Sequence, residues 1–267
     1  MLYPGLYEQV INNALNRELA DIPEARKSTA PIDTAEAAKV LAQYLTDVVQ
    51  KGLENVQDNG GGIEAQIQLA NQIINTIQTT TEEADFAALG VDQRAEQLLA
   101  LLQQNDPRLA TGKSAKDLDR PETSIAQSSL FTGAIHEPQM YTELKKEIVS
   151  ADRIDMLVSF IKWSGLRLIM DELRQFAQSG GELRIITTSY MGATDVKAIE
   201  ELRALPNTKI KVSYDTKRTR LHAKTYVFYR DTGFTTAYVG SSNLSNAAIS
   251  SGLEWNVKVT RKDLPET

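Results

Sequence analysis

Four polar side chains near the end of the sequence are of the types that transfer phosphoryl groups. His222 and Lys224 stand two residues apart in a predicted strand, so both side chains leave the same face. Gly240-Ser241-Ser242-Asn243 follows where a strand ends and a short helix begins, a junction whose free N–H groups attract anions. Glu254 comes next, in another predicted strand.

These residue types fit attack on phosphorus without a metal ion. A neutral imidazole is a competent nucleophile, and a carboxylate can hold its second nitrogen in the right tautomer. Lysine and asparagine side chains can stabilise the charge on phosphate oxygens. Each residue alone has an ordinary structural interpretation as a strand residue, a turn residue or a helix cap. The order and spacing of all four together therefore carry the hypothesis.

The elements that must position these residues begin at about residue 125. Strand patterns alternate with helix patterns from there, and the last part reads as a hairpin with the turn Asp231–Phe234. This alternation predicts an α/β domain with a mixed β-sheet flanked by helices on both faces. The predicted strands are SSLFTG, RIDMLVSFI, ELRIITTSY, TKIKVSY, RLHAKTYVFYR, TTAYVGS and LEWNVKV.

The preceding chain predicts a different architecture. Residues 1–105 show the helical period in four segments, the last being VDQRAEQLLALLQQN, and Asp33 with Glu36 resembles a capping box. Residues 106–124 are polar and read as a linker, so the predicted α/β domain is 125–267. The linker contains the end of a P-loop pattern, but Pro107 stands where its first glycine belongs, so no ATP site is expected.

Composition excludes several classes of protein. The chain has 267 residues, a net charge of −6 and no cysteine, which removes disulfides, thiolate zinc sites, iron–sulfur clusters and cysteine nucleophiles. No apolar run approaches a membrane span and no signal peptide is recognisable, so a cytoplasmic protein is expected.

The charge is unevenly distributed along the chain. Residues 1–110 carry 7 basic and 16 acidic residues, net −9, whereas residues 207–230 carry seven basic residues and one acidic residue. Such a local basic surface suits phosphate binding.

The motifs resemble the signature of the phospholipase D superfamily, H-x-K followed by G-S-x-N. The resemblance implies that His222 is the nucleophile of a covalent phosphohistidine mechanism and that Lys224 and Asn243 grip the phosphate, with Ser241 or Ser242 in support. Glu254 matches the acidic residue that orients the histidine in the nuclease branch. The aspartate that follows H-x-K in the family falls on Tyr229, and Asp231 is the nearest aspartate.

Over residues 125–262 whole phrases are similar to the nuclease domain at the N-terminus of bacterial DEAD/DEAH-type superfamily II helicases. The resemblance implies that a helicase motor lies beyond Thr267 in a longer chain. The family reaction uses two histidines, a nucleophile and a general acid. Only His222 lies in an H-x-K motif, and other members with one motif pair two chains. A homodimer sharing one active centre is therefore expected, whereas His136, in GAIHEP, reads as a loop or helix-cap residue.

The surroundings predict nucleic acid, DNA rather than RNA, as substrate, because no basic amphipathic helix suggests a lipid surface. Lys217, Arg218 and Arg220 are candidate substrate-binding residues. No cofactor or metal is expected. Three alternatives remain open: a non-catalytic nucleic-acid-binding or dimerisation module of a helicase, a metal-dependent nuclease using the weak Glu143-Leu144-Lys145 pattern, and a helical adaptor.

Overall fold

The computed structural model describes residues 2–104, 106–134, 136–215, 221–246, 248 and 254–265. The chain divides into two compact units, Met1–Leu99 and Ala100–Thr267. The predicted α-helical region and the predicted mixed β-sheet with helices packed against it are both confirmed. The division into 1–105, 106–124 and 125–267 stays a prediction.

The N-terminal unit contains α1 (Asn13–Ala20), α2 (Ala37–Asp58) and α3 (Ile63–Thr81), with short 3-10 helices at Glu24–Arg26 and Ala84–Leu89. Asn12 caps α1, since its Oδ1 accepts hydrogen bonds from the N–H groups of Ala14 and Leu15 at 3.1 and 3.0 Å. The predicted capping box at Asp33 is absent: α2 begins after Glu36, which makes no side-chain cap. Among the described residues of this unit, Ile67 alone is buried.

The predicted fourth helix does not form. Residues 91–103 have no helical structure, and Ala95 has a φ of 53°, which interrupts any right-handed helix. Leu98, Leu99 and Leu101 of this segment are exposed. An amphipathic helix derives most of its stability from burying its apolar face, and these leucines are exposed.

The second unit alternates strands and helices. In chain order it contains α4 (Pro107–Ala110), β1 (Ser129–Phe131), α5 (Met140–Val149), β2 (Arg153–Val158), α6 (Trp163–Leu166), α7 (Met170–Gln178), β3 (Glu182–Thr188), α8 (Val196–Arg203), β4 (Thr208–Ser213), β5 (Lys224–Tyr229), β6 (Thr236–Gly240) and β7 (Asn256–Thr260). Two 3-10 turns lie at Ala115–Asp117 and Tyr190–Gly192. The predicted short helix LSNAAIS falls largely outside the described residues.

The seven strands form one mixed sheet in the order β1-β7-β6-β5-β2-β3-β4. Strands β2, β3 and β4 are parallel, and the other neighbours are antiparallel. Two crossover helices serve the parallel part, and the hairpin β5–β6 forms the antiparallel centre. The amino ends of β5 and β7 and the carboxyl ends of β2, β3, β4 and β6 consequently meet at one end of the sheet.

The core lies on one face of this sheet. Alternate residues of the strands, such as Ile154, Ile185 and Phe228, pack with apolar residues of α5, α7 and α8. On the opposite face, one row of side chains in cross-strand register consists of Leu130, Val257, Val239, Thr225, Leu157, Ile186 and Lys211. Leu130, Val239 and Val257 are about half exposed. The expected helical cover of both faces is therefore found on one face within the described residues.

A buried ionic cluster lies between α5 and the antiparallel strands. Glu147 is fully buried, and its carboxylate accepts hydrogen bonds from Arg230 at 2.6 Å, Lys258 at 2.9 Å, Thr236 at 2.8 Å and Tyr238 at 3.0 Å. Burial alone would raise the pKa of Glu147, but the two cations outweigh it and hold that pKa below the usual value.

The end of the predicted linker is attached to the same cluster. The N–H of Glu122 and the hydroxyl of Thr123 donate to the buried Glu143 carboxylate at 2.7 and 3.0 Å. Lys258 donates to the Thr123 hydroxyl oxygen at 2.9 Å. Residues 122–123 are thus part of the packed α/β unit. Among the described helices, none is long and apolar enough to cross a bilayer.

Candidate active site

The end of the sheet described above brings the two sequence motifs together. Lys224 opens β5 and is paired with Val158, while Gly240 closes β6 and is paired with Asn256. Because β5 and β6 are adjacent antiparallel strands, the first residue of one and the last of the other lie side by side. The H-x-K and G-S-x-N motifs consequently face the same small region.

His222 and Lys224 contact each other directly. The Lys224 Nζ lies 3.1 Å from Nδ1 and 3.0 Å from Nε2 of His222. His222 is exposed, whereas Lys224 is 8% exposed. Burial lowers the pKa of the Lys224 ammonium, and the negative charge of Glu254 acts in the opposite direction. A cation beside an accessible imidazole is the arrangement that an anionic substrate requires.

Glu254 contacts the other motif. Its carboxylate accepts a hydrogen bond from the Ser241 hydroxyl, and the N–H of Trp255 donates to the Ser241 Oγ at 3.1 Å. Within the described contacts the partner of Glu254 is thus Ser241, and the orienting contact with His222 that the resemblance implies is not seen. Glu254 nevertheless acts electrostatically on the buried end of β5, since its charge helps raise the pKa of Tyr226 beyond the effect of burial.

Gly240 permits this close approach. A Cβ at Gly240 would lie 2.3 Å from the carbonyl oxygen of Trp255 and 2.7 Å from the Cα of Asn256. No side chain fits at that spacing, because the obstructing atoms belong to the backbone. The glycine of the motif is therefore needed to bring Ser241 against the residues around Glu254.

The remaining motif residues are buried. Asn243 is 8% exposed, and its Oδ1 accepts a hydrogen bond from the N–H of Phe160 at 3.3 Å. Ser242 is fully buried; its hydroxyl donates to Ala248 and accepts from the Nδ2 of Asn256 at 2.8 Å. These contacts favour a structural role for Ser242 and leave Ser241 as the more accessible serine.

Sequence reasoning missed the segment Ser159–Lys162, which joins the two motifs. The N–H of Ser159 donates to the carbonyl of Ala223 at 2.9 Å, and the N–H of Lys162 donates to the carbonyl of Leu244 at 2.8 Å. The segment follows directly after β2 and has no distinctive residue types, so its composition gave no signal. Its role arises only from the pairing of β2 with β5.

The two-residue spacing of the strands could have identified two further residues that position the motifs. Tyr226 and Asn256 stand two residues after Lys224 and Glu254, and therefore on the same strand face. The Tyr226 hydroxyl donates to the carbonyl of Ser242 at 3.0 Å, and Asn256 holds the Ser242 hydroxyl. Both residues fix the backbone of the G-S-x-N motif.

The other candidates lie elsewhere. Lys217, Arg218 and Arg220 are outside the described residues. His136 is an exposed loop residue, and Gln139 rather than His136 precedes the first residue of α5. Tyr229, at the family's aspartate position, lies at the far end of β5, with the Arg153 guanidinium 3.7 Å above its ring. Among the described residues, no three acidic or histidine side chains form a group that could hold a metal ion.

Comparison with known proteins agrees with these motifs. Residues 144–266 match the family model described as cardiolipin synthase, PLD-like domain. Solved structures similar to the chain include NucT from Helicobacter pylori, with 22% identity over 51% of this chain and 87% of that one and a TM-score of 0.41. Nuc from Salmonella typhimurium, a phospholipase D family member, has 24% identity over 52% and 88% of the two chains and a TM-score of 0.39. The search of curated proteins gave no match.

The matched segment spans both motifs and the whole of the described antiparallel part of the sheet except β1. Residues 144–266 are thus similar to a PLD-like domain, a likeness that favours an enzyme of the phosphodiesterase or nuclease type.

Proposed function

We propose that the protein is a metal-independent nuclease that cleaves nucleic acid, DNA in preference to RNA, through a covalent phosphohistidine intermediate. The observation that carries the proposal is the contact of the exposed His222 imidazole with the Lys224 ammonium, beside the G-S-x-N motif. This contact supports the proposal, because an imidazole nucleophile and a cation would then both reach one phosphate group.

The reaction has two displacement steps. A ring nitrogen of His222 attacks phosphorus, the P–O bond to the leaving nucleotide breaks, and a general acid protonates that oxygen. Water then attacks the phosphohistidine, gives its proton to the same group acting as base, and releases His222. Lys224 and the Nδ2 group of Asn243 stabilise the charge on the phosphoryl oxygens in both steps. Lys217, Arg218 and Arg220 would bind the flanking phosphates.

Cleavage without metal is the first expected result. The purified protein should cut end-labelled DNA in excess EDTA, because the chemistry uses only its own side chains. The assay compares single-stranded and duplex DNA with and without the chelator. Loss of cleavage in EDTA, restored by a divalent cation, would instead indicate a metal-dependent nuclease. Binding without cleavage would favour the alternative of a non-catalytic module of a helicase.

The general acid is proposed to be His222 of a second copy, so that a homodimer shares one active centre. The chain has two histidines, and His136 has none of the lysine and asparagine neighbours that surround His222. A helicase motor in a longer natural chain is part of the same proposal, and rests on the resemblance of residues 125–262 alone.

Mixing wild-type protein with inactive copies tests the shared centre. Only dimers of two wild-type chains would be active. After subunit exchange, an equal mixture with His222→Ala should therefore cleave at about one quarter of the rate of wild-type protein at the same total protein concentration. Sedimentation should give a mass twice the 29.5 kDa of one chain. A loss of only one half would show that each chain works alone. His136→Ala, mixed in the same way, serves as the matched control and should leave the rate unchanged.

A further inference from the structure

We propose that Trp255 is a base-stacking residue, which makes single-stranded nucleic acid the preferred substrate of this site. The inference rests on the proposed nuclease function for the position of the phosphate. It adds a binding subsite and a strand preference that the motif residues do not define.

The backbone of Trp255 is fixed against the G-S-x-N motif. Its N–H donates to the Ser241 Oγ at 3.1 Å, and its carbonyl accepts from the Ser241 N–H at 3.1 Å. The preceding residue is Glu254, whose carboxylate also holds Ser241. The indole therefore projects from a backbone position that is tied to the phosphate-binding motif.

The indole itself is exposed. The side chain of Trp255 is 64% exposed, whereas Trp163, the other tryptophan, is partly buried with the Lys197 ammonium 4.4 Å from its ring centroid. Tryptophan is the largest apolar side chain and forms strong stacking contacts through its flat face. An uncovered indole held next to a catalytic motif is consistent with a ligand that has a flat, apolar surface.

A second exposed aromatic ring stands on the other side of the motifs. Tyr214, directly after β4, is 79% exposed. In the described part of the α/β unit, two large apolar aromatic side chains are exposed, those of Trp255 and Tyr214. Both lie at the end of the sheet that bears Lys224. With strands about 4.8 Å apart, β7, which follows Trp255, lies roughly 10 Å from β5 along the sheet, and β4, which precedes Tyr214, lies roughly 14 Å from it.

These separations match a short run of nucleotides. A nucleic-acid strand advances by at least about 3.4 Å per nucleotide along its axis, so both strand ends are within a few nucleotides of a phosphate bound at His222. Stacking on an aromatic side chain needs a base whose face is free, as it is in single strands. In a duplex both faces of each internal base are already covered. The two rings therefore favour single-stranded over double-stranded substrate.

Fluorescence of the cleavage-deficient protein tests the contact apart from catalysis. In His222→Ala, a thymidine oligonucleotide of about 16 residues should quench tryptophan emission. The quenching should persist when Trp163→Phe is added and should vanish when Trp255→Phe is added instead. Duplex DNA of the same length should quench weakly. Because no cleavage is required, quenching would stand even if the wild-type protein proved not to be a nuclease.

Affinity gives the second measurement. Trp255→Ala should weaken binding of the single-stranded oligonucleotide by about 5- to 100-fold, the usual effect of losing one stacked base, and Trp255→Phe should restore most of it. Tyr214→Ala should have the same direction of effect. Equal losses on single-stranded and duplex DNA, or emission that does not respond to the oligonucleotide, would overturn the proposal. A change of oligomeric mass in Trp255→Ala would also overturn the proposal. Trp255 is close to Val257 of the exposed row on the sheet, and such a change would show that Trp255 belongs to a contact between copies of the chain.

Discussion

Replacing His222 by alanine should reduce cleavage by at least about 10⁴-fold, since removing the nucleophile of a covalent mechanism leaves only the contribution of binding and charge stabilisation. His222 is exposed and its side chain supports no part of the core, so the variant should fold normally. Binding of the oligonucleotide should change little, because Lys224 and Asn243 remain. The measurement is single-turnover cleavage in EDTA, with binding followed on the same preparation.

The intermediate gives an independent readout of the same prediction. Substrate labelled at the scissile phosphate should leave label on denatured wild-type protein, as an acid-labile and base-stable adduct, and none on His222→Ala. The matched control is His136→Ala, which replaces the other histidine of the chain and should retain both the adduct and full turnover. Residual cleavage by His222→Ala within tenfold of wild type would contradict a nucleophilic role.

The second large effect concerns stability. Glu147→Gln should lower the free energy of unfolding by about 3–5 kcal/mol, because it leaves the buried Arg230 and Lys258 cations without their shared carboxylate. Urea titration followed by tryptophan fluorescence reports on the α/β unit alone, as Trp163 and Trp255 both lie there. Glu182→Gln breaks an ion pair of similar length, 2.8 Å to Lys209, at an exposed site and should change the unfolding transition far less than Glu147→Gln does.

The same carboxylate sets a dependence on pH. The pKa of Glu147 is lower in the folded protein than in the unfolded chain, so its contribution to stability is complete above the unfolded value of about 4.3 and disappears as pH falls through the folded value. Wild-type stability should therefore decline in acid more steeply than that of Glu147→Gln. Equal slopes for the two proteins, or a loss below about 1 kcal/mol at neutral pH, would show that the cluster contributes little net stability.

One contact between candidate residues follows from a local sequence pattern, because the motif that contains them is short. His222 and Lys224 share a face through the two-residue period of a strand, and the structure places them in contact. Glu254 was expected beside His222, but its carboxylate binds Ser241 instead. That difference depends on the register of β6 against β7, which no local pattern specifies.

Long-range pairing explains the other differences. Ser159–Lys162 joins both motifs through the order of strands, and this order cannot be read from helix and strand periods. The helix expected near Leu98 had the right period, but its leucines are exposed in the folded chain. A periodic pattern shows which face a segment could bury, whereas the neighbour that would cover that face is a property of the whole fold.

The strand order also determines when the domain can become complete during its synthesis. Strand β1 is made first among the strands, and its one partner in the sheet is β7, the last strand. Ser129 pairs with Lys258, and Lys258 also holds Thr123, so nearly the entire unit must leave the ribosome before either contact exists. Contacts of such high separation slow folding and prolong the exposure of apolar strands. The end of the sheet that bears both motifs shares this dependence, because Asn256, which holds the Ser242 hydroxyl, opens the same late strand.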